Sequence, residues 1–128
     1  MCIRDRDSDV TLSAYLMQPS YITEWTARTK AMMARYPGLR VWPNGGACIY
    51  PWLARGRVDA YLMFDEPRSE VDPGLGLAAR SGLVLIEGSR DGNLNEYRFS
   101  PQDRTGRSAL FVAACTAELA QEIVAELT

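Results

Sequence analysis

The seven residues 58–64 (VDAYLMF) limit the fold more than any other segment. An apolar run of this length, stopped by Gly56 on one side and by the polar residues 65–69 on the other, reads as a strand followed by a loop. Two shorter apolar runs, 83–86 (LVLI) and 110–114 (LFVAA), read as buried strands, and 10–17 alternates apolar and polar residues at the period of a half-buried strand. Helical spacing fills the intervals. Strands alternating with helices, without repeats or linkers, predict one α/β layer domain.

The helices are bounded by specific residues. Ser20 is the expected N-cap of a helix running to about Arg35, with Ile22, Trp25, Thr29, Met32 and Met33 on one face and Tyr36-Pro37-Gly38 closing it. Residues 39–42 are a short strand, and Pro43-Asn44-Gly45-Gly46 is a turn. Residues 47–55 form a short helix with Pro51 in its first turns, where proline is tolerated, and Gly56 stops it. Residues 72–81 form a helix of small residues ended by Gly82. Residues 87–106 are irregular apart from a short strand around Tyr97 and Phe99. Thr116 caps a last helix whose Leu119, Ala120, Ile123, Val124 and Leu127 share one face.

Composition removes whole classes of function. The 128 residues are 47% hydrophobic and 23% charged, with a net charge of −2, which excludes a disordered tail and gives no electrostatic reason to bind nucleic acid or an anionic membrane. No apolar run can span a bilayer and the start is too polar for a secretory signal, so a cytoplasmic protein is expected. Cys2, Cys48 and Cys115 are widely spaced and odd in number, and free thiols are expected. There is no histidine. Catalytic Ser-His-Asp and Cys-His centres are therefore impossible, and carboxylates remain as ligands suited to a hard cation such as magnesium. Residues 1–6 (MCIRDR) match the translation of a transposon-end sequence used in sequencing libraries, so they read as a non-native scar. On that reading 7–128 is the protein proper, and its natural gene begins further upstream.

The segment Gly56-Arg57-Val58-Asp59-Ala60-Tyr61 resembles the Gly-Arg-hydrophobic-Asp-Ala-Tyr segment of the inositol monophosphatase and fructose-1,6-bisphosphatase superfamily. In that family an acidic metal ligand follows the tyrosine by nine residues at the start of a helix, which is Glu70 here. The glycine that ends the same helix corresponds to Gly82. Glu70-Val71-Asp72-Pro73 is similar to the Glu-x-x-Pro of the fructose bisphosphatase branch. The strand 110–114 and the helix after it resemble the family's C-terminal strand and helix. The resemblance implies a layered α/β/α domain with a mixed central sheet, the C-terminal lobe of a longer protein whose N-terminal lobe is missing.

It also implies a function. The family hydrolyses small phosphate monoesters with magnesium ions held by several carboxylates, but its N-terminal glutamate and Asp-x-x-Asp-Gly-Thr/Ser motif have no counterpart here. This chain is expected to supply Glu70 as one metal ligand, to hold no catalytic residue of its own, and to be inactive alone. A carboxylate that merely favours a helix start is the competing reading of Glu70, and Asp72 is the second candidate ligand. Asn44, Gly45 and Gly46 occupy the family's substrate-facing turn, and a plain tight turn is the alternative. Asp59 is expected to be structural, and Arg40 to lie in a surface or structural pair. The family's substrate-contacting glutamate is replaced by Met63, which disfavours inositol phosphate and leaves sugar or nucleotide phosphates, or a non-catalytic binding domain that kept the fold.

Two other motifs are set aside. Gly74-Leu75-Gly76-Leu77-Ala78-Ala79 has the form of a dinucleotide fingerprint but follows a polar loop instead of a strand. Asp91-Gly92 is read as a turn. The expected partners are a small phosphorylated metabolite, the missing lobe and a second copy in a homodimer. An apolar face left bare by the missing lobe would drive that pairing.

Overall fold

A computed structural model describes residues 10–89, 91–103 and 105–127. The proposed scar at 1–6 lies outside them. In chain order the elements are β1 (Thr11–Ser13), α1 (Pro19–Arg28), α2 (Lys30–Arg35), β2 (Arg40–Trp42), α3 (Tyr50–Ala54), β3 (Ala60–Pro67), α4 (Arg68–Val71), α5 (Leu75–Ser81), β4 (Val84–Gly88), β5 (Leu94–Glu96), β6 (Arg107–Ala114) and α6 (Ala117–Leu127). Short 3₁₀ turns at Ala47–Ile49 and Asp72–Gly74 lead into α3 and α5.

The strands form one mixed sheet in the order β2-β1-β3-β6-β4-β5. β1 runs parallel to β2 and to β3, whereas β6 pairs antiparallel with β3 and β4. Ala60, Tyr61, Leu62, Met63 and Phe64 are all buried, so β3 is covered on both faces. α6 lies over β4 and β6 and packs on α2, while α3 packs on α5. The α/β layered class with a mixed sheet is therefore as the sequence implies.

Local expectations hold unevenly. Leu119, Ala120, Ile123 and Val124 are buried beneath α6, and the Leu119 amide donates to Thr116 Oγ1 at 3.1 Å. Gly82 ends α5 with φ +69°. The helix expected from Ser20 to Arg35 is broken in two. Thr29 interrupts it, with its hydroxyl donating 2.8 Å to the Trp25 carbonyl, and the first helix begins at Pro19 after an uncapped Gln18. Ile22 is exposed, so the buried face is Trp25, Thr29 and Met32. The helix expected over 72–81 is split by the Asp72–Gly74 turn, and α4 precedes it.

Two strand expectations are corrected. The loop assigned to 65–69 is mostly strand, because β3 continues to Pro67 while its partner β6 still offers ladder positions down to Arg107. The short strand around Tyr97 and Phe99 falls instead at Leu94–Glu96, where pairing with the edge of β4 decides it. The free-thiol expectation holds for Cys48, whereas Cys115 is disulfide-bonded. Of the tryptophans, Trp25 is buried. Trp42 and Trp52 are partly exposed and pair with ring centroids 5.4 Å apart. No helix among the described residues is long and apolar enough to cross a membrane.

Candidate functional site

β1, β2 and β3 run in the same direction, and a cavity of about 320 Å³ opens beside their carboxyl ends. The carboxyl ends of parallel strands are where chains leave the sheet and ligands find room in open α/β folds. Tyr15 enters the wall after β1, Gly45 and Gly46 after β2, and Met63 to Pro67 from the end of β3. Because β1 stops at Ser13, the Leu62 carbonyl has no strand partner on that side. The buried Trp25 Nε1 donates to it at 3.0 Å, and Trp25 itself becomes cavity wall.

The turn after β2 is built for close approach. A β-carbon at Gly45 would stand 2.5 Å from Tyr61 Cε1 and 2.6 Å from Ser13 Oγ, so only glycine fits. Gly46 has φ +117°, a conformation side chains rarely adopt. A β-carbon there would point toward the Glu70 carboxylate, 4.0 Å from Oε2. Glu70 sits in the first turn of α4, is exposed and lines the same cavity. Three of the four residues singled out from sequence, Gly45, Gly46 and Glu70, therefore meet across one cavity. Asn44 does not join them: it is exposed, lies outside the cavity wall and bridges to Tyr15.

The other sequence candidates have structural duties. Asp72 accepts a 2.7 Å hydrogen bond from the Tyr97 hydroxyl and is not in the cavity. Asp59 is buried, and its Oδ2 accepts from the Thr11 amide at 2.7 Å while its own amide donates to Thr11 O, which ties β1 to the start of β3. Arg40 is exposed at the edge strand β2. Asp91 accepts from the Asn93 amide in a turn with Gly92 at φ +90°.

Sequence reasoning missed Glu66. It lies at the end of β3, is 4% exposed, and lines the cavity with Glu70. Burial raises its pKa to about 7; the facing Tyr61 hydroxyl and Arg107 oppose the rise, and the Glu70 charge adds to it. Among the described residues, neither Glu66 Oε2 nor the Tyr61 hydroxyl makes a hydrogen bond of full geometry, although the two face each other closely enough to interact. Asp65 immediately before it has φ +54°, the left-handed region that Asp tolerates better than most side chains. The assignment of 65–69 to a loop hid this residue. The one signal in its favour was the acidic pair Asp65-Glu66 directly after an apolar strand.

The remaining charge in the wall is Glu24, Asp65 and Arg107, so acidic groups outnumber basic ones. Arg107 Nη1 donates to the Asp65 carbonyl at 2.9 Å. Carboxylate oxygens suit a hard cation, and among the described residues the Glu70 carboxylate is held by no hydrogen bond or ion pair. Among the described residues, however, no three acidic, cysteine or histidine side chains converge. The donor set fits one part of a magnesium site and not a complete one.

No protein-family model and no curated protein matches the sequence. Solved structures do. Over 99% of its length the chain matches the extragenic suppressor protein suhB from Bartonella henselae, with TM-score 0.67 and 14% identity, covering 44% of that chain. It matches a hypothetical protein from Pyrococcus horikoshii with similarities to inositol-1 monophosphatase with TM-score 0.62 and 21% identity, over 98% of this chain and 45% of that one. An IMPase/NADP phosphatase complexed with Mg²⁺ and phosphate matches with TM-score 0.63 and 10% identity, over 99% and 42%. The chain spans under half the length of these structures, and over that span it has the fold of the inositol monophosphatases.

Proposed function

We propose that this chain is the C-terminal lobe of a magnesium-dependent phosphatase acting on small phosphate monoesters, and that alone it binds the cation weakly and does not turn over. The observation that carries the reading is the convergence of Glu70 with the Gly45–Gly46 turn, 4.0 Å from Oε2 to the Gly46 β-position, at the carboxyl ends of parallel strands. The fold shared with a phosphatase complexed with Mg²⁺ and phosphate supports it. Glu70 would hold magnesium with one carboxylate. The ion, when bound, would polarise the phosphate and activate water. The other ligands would come from a lobe outside this chain. Gly46 would leave its backbone open to substrate where a side chain would project toward Glu70.

The test is Mn²⁺ titration followed by amide NMR. Broadening should centre on Glu70, Gly45 and Gly46 and disappear in Glu70→Gln. Broadening centred elsewhere, or unchanged in that variant, would remove the reading. The second reading, a binding domain on the same fold, draws on Met63. This buried thioether forms cavity wall and offers a polar ligand almost nothing. An Asp-x-x-Asp-Gly-Thr/Ser segment in the coding sequence upstream would decide for the enzyme.

A further inference from the structure

Glu66 is a buried acid at the cavity wall with an unpartnered oxygen. Its ladder partner on β6 is Ser108, whose hydroxyl has no partner among the described residues, and the Tyr61 hydroxyl that faces it makes no hydrogen bond of full geometry there. Buried polar atoms are nearly always satisfied, so a group left orphaned beside a cavity is one that a bound molecule can complete. We propose that Glu66 selects hydroxylated ligands: its Oε2 accepts a hydroxyl of a polyol or sugar phosphate whose phosphate end lies toward Glu70 and the Gly45–Gly46 turn. This deepens the phosphatase reading and rests on it.

Three features support the assignment. The last torsion of a glutamate is broad, so a small rotation of the carboxyl turns Oε2 toward the cavity. Arg107, the cation in the same wall, is directed to the Asp65 carbonyl and forms no ion pair with Glu66. Among the described residues, Glu66 belongs to no cluster of three acidic, cysteine or histidine side chains. A ligand without a hydroxyl would leave the carboxyl oxygen orphaned, and sites of that kind discriminate strongly against the analogue that lacks the donor.

The 128-residue chain can be titrated with inorganic phosphate, phenyl phosphate and glucose 6-phosphate in the presence of Mg²⁺, with amide NMR as a readout that detects millimolar binding. Glucose 6-phosphate should bind about tenfold more tightly than phenyl phosphate. Glu66→Met should bring the two within about twofold while keeping the affinity for inorganic phosphate. Glu66→Gln, which retains one acceptor, should keep an intermediate preference and shows that loss of fold is not the cause. An unchanged preference in Glu66→Met, or no preference in the parent chain, overturns the role of Glu66 and leaves the phosphatase reading standing. Failure of inorganic phosphate to bind, or binding indifferent to Glu70→Gln, overturns the phosphatase reading and this inference with it.

Discussion

Gly74 presses against the ring of Tyr50 so closely that a β-carbon there would lie 2.3 Å from Tyr50 Cδ2. This contact joins the segment that follows the Gly45–Gly46 turn to the one that follows Glu70, and that turn and Glu70 both line the cavity. Tyr50 opens α3, which follows the Gly45–Gly46 turn, and Gly74 closes the turn after α4, which carries Glu70. Gly74→Ala should cost about 1–3 kcal/mol by overpacking. It should also shift the amide resonances of Gly46 and Glu70 together. Urea denaturation and an NMR spectrum check both effects, and a variant of unchanged stability would show that the ring moves aside freely.

The start of α4 is anchored by Arg68, whose guanidinium Nη1 donates to both carboxylate oxygens of Glu87 at 3.1 and 3.0 Å. Its Nη2 donates to the Arg98 carbonyl, and its Cζ lies 4.4 Å from the Tyr97 ring centroid. Arg68 is almost fully buried and Glu87 is a quarter exposed. Glu87→Leu strands the guanidinium and should cost about 3 kcal/mol, the low end for a buried pair because Glu87 still touches solvent. Arg68→Met combined with Glu87→Leu should cost less than the sum of the single changes, as measured by a double-mutant cycle. Strict additivity would mean the pair contributes nothing as a pair.

Glu66 makes stability depend on pH. Burial holds its folded pKa at about 7, above the ordinary value of 4.5. Between those values the folded chain keeps a proton that the unfolded chain has released. Stability from this group is therefore fully present below about 4.5 and is lost as pH rises through about 7, by roughly 3 kcal/mol. Glu66→Gln should remove this dependence and be the more stable protein at pH 8. Urea midpoints at pH 5 and pH 8 check it, and a parent chain as stable at pH 8 as at pH 5, once compared with the variant, would contradict it.

The cap of α6 offers a smaller and cleaner test. Thr116 Oγ1 accepts from the Leu119 amide, which otherwise has no helical partner. Thr116→Ala should lower stability by about 1 kcal/mol without altering the cavity. Thermal unfolding gives the first result, and unchanged ligand titrations the second.

Much of the architecture was legible where a short segment carries its own signal. The apolar run that became β3, the stripe of Leu119, Ala120, Ile123 and Val124 in α6, the Thr116 cap and the Gly82 stop each depend on neighbours within a few residues. The family resemblance, and not local pattern, implied that Glu70 stands at a helix start, and the structure sets that acid beside Gly46.

What the residues could not announce were relationships between distant strands. Leu94–Glu96 is exposed throughout and has no strand pattern; it is a strand because the edge of β4 offers unpaired backbone. Asp65, Glu66 and Pro67 look like a loop, yet β6 holds them in the ladder and the sheet buries Glu66. Asn44 stands next to two cavity residues in sequence, and its bridge to Tyr15 turns it away from them. Local periodicity and turn chemistry therefore determined the strongly patterned segments, such as β3 and α6, while pairing between strands decided 65–67 and Leu94–Glu96. Only the assembled sheet decided which polar groups lost their water, because desolvation depends on what packs over a residue and not on its neighbours in the chain.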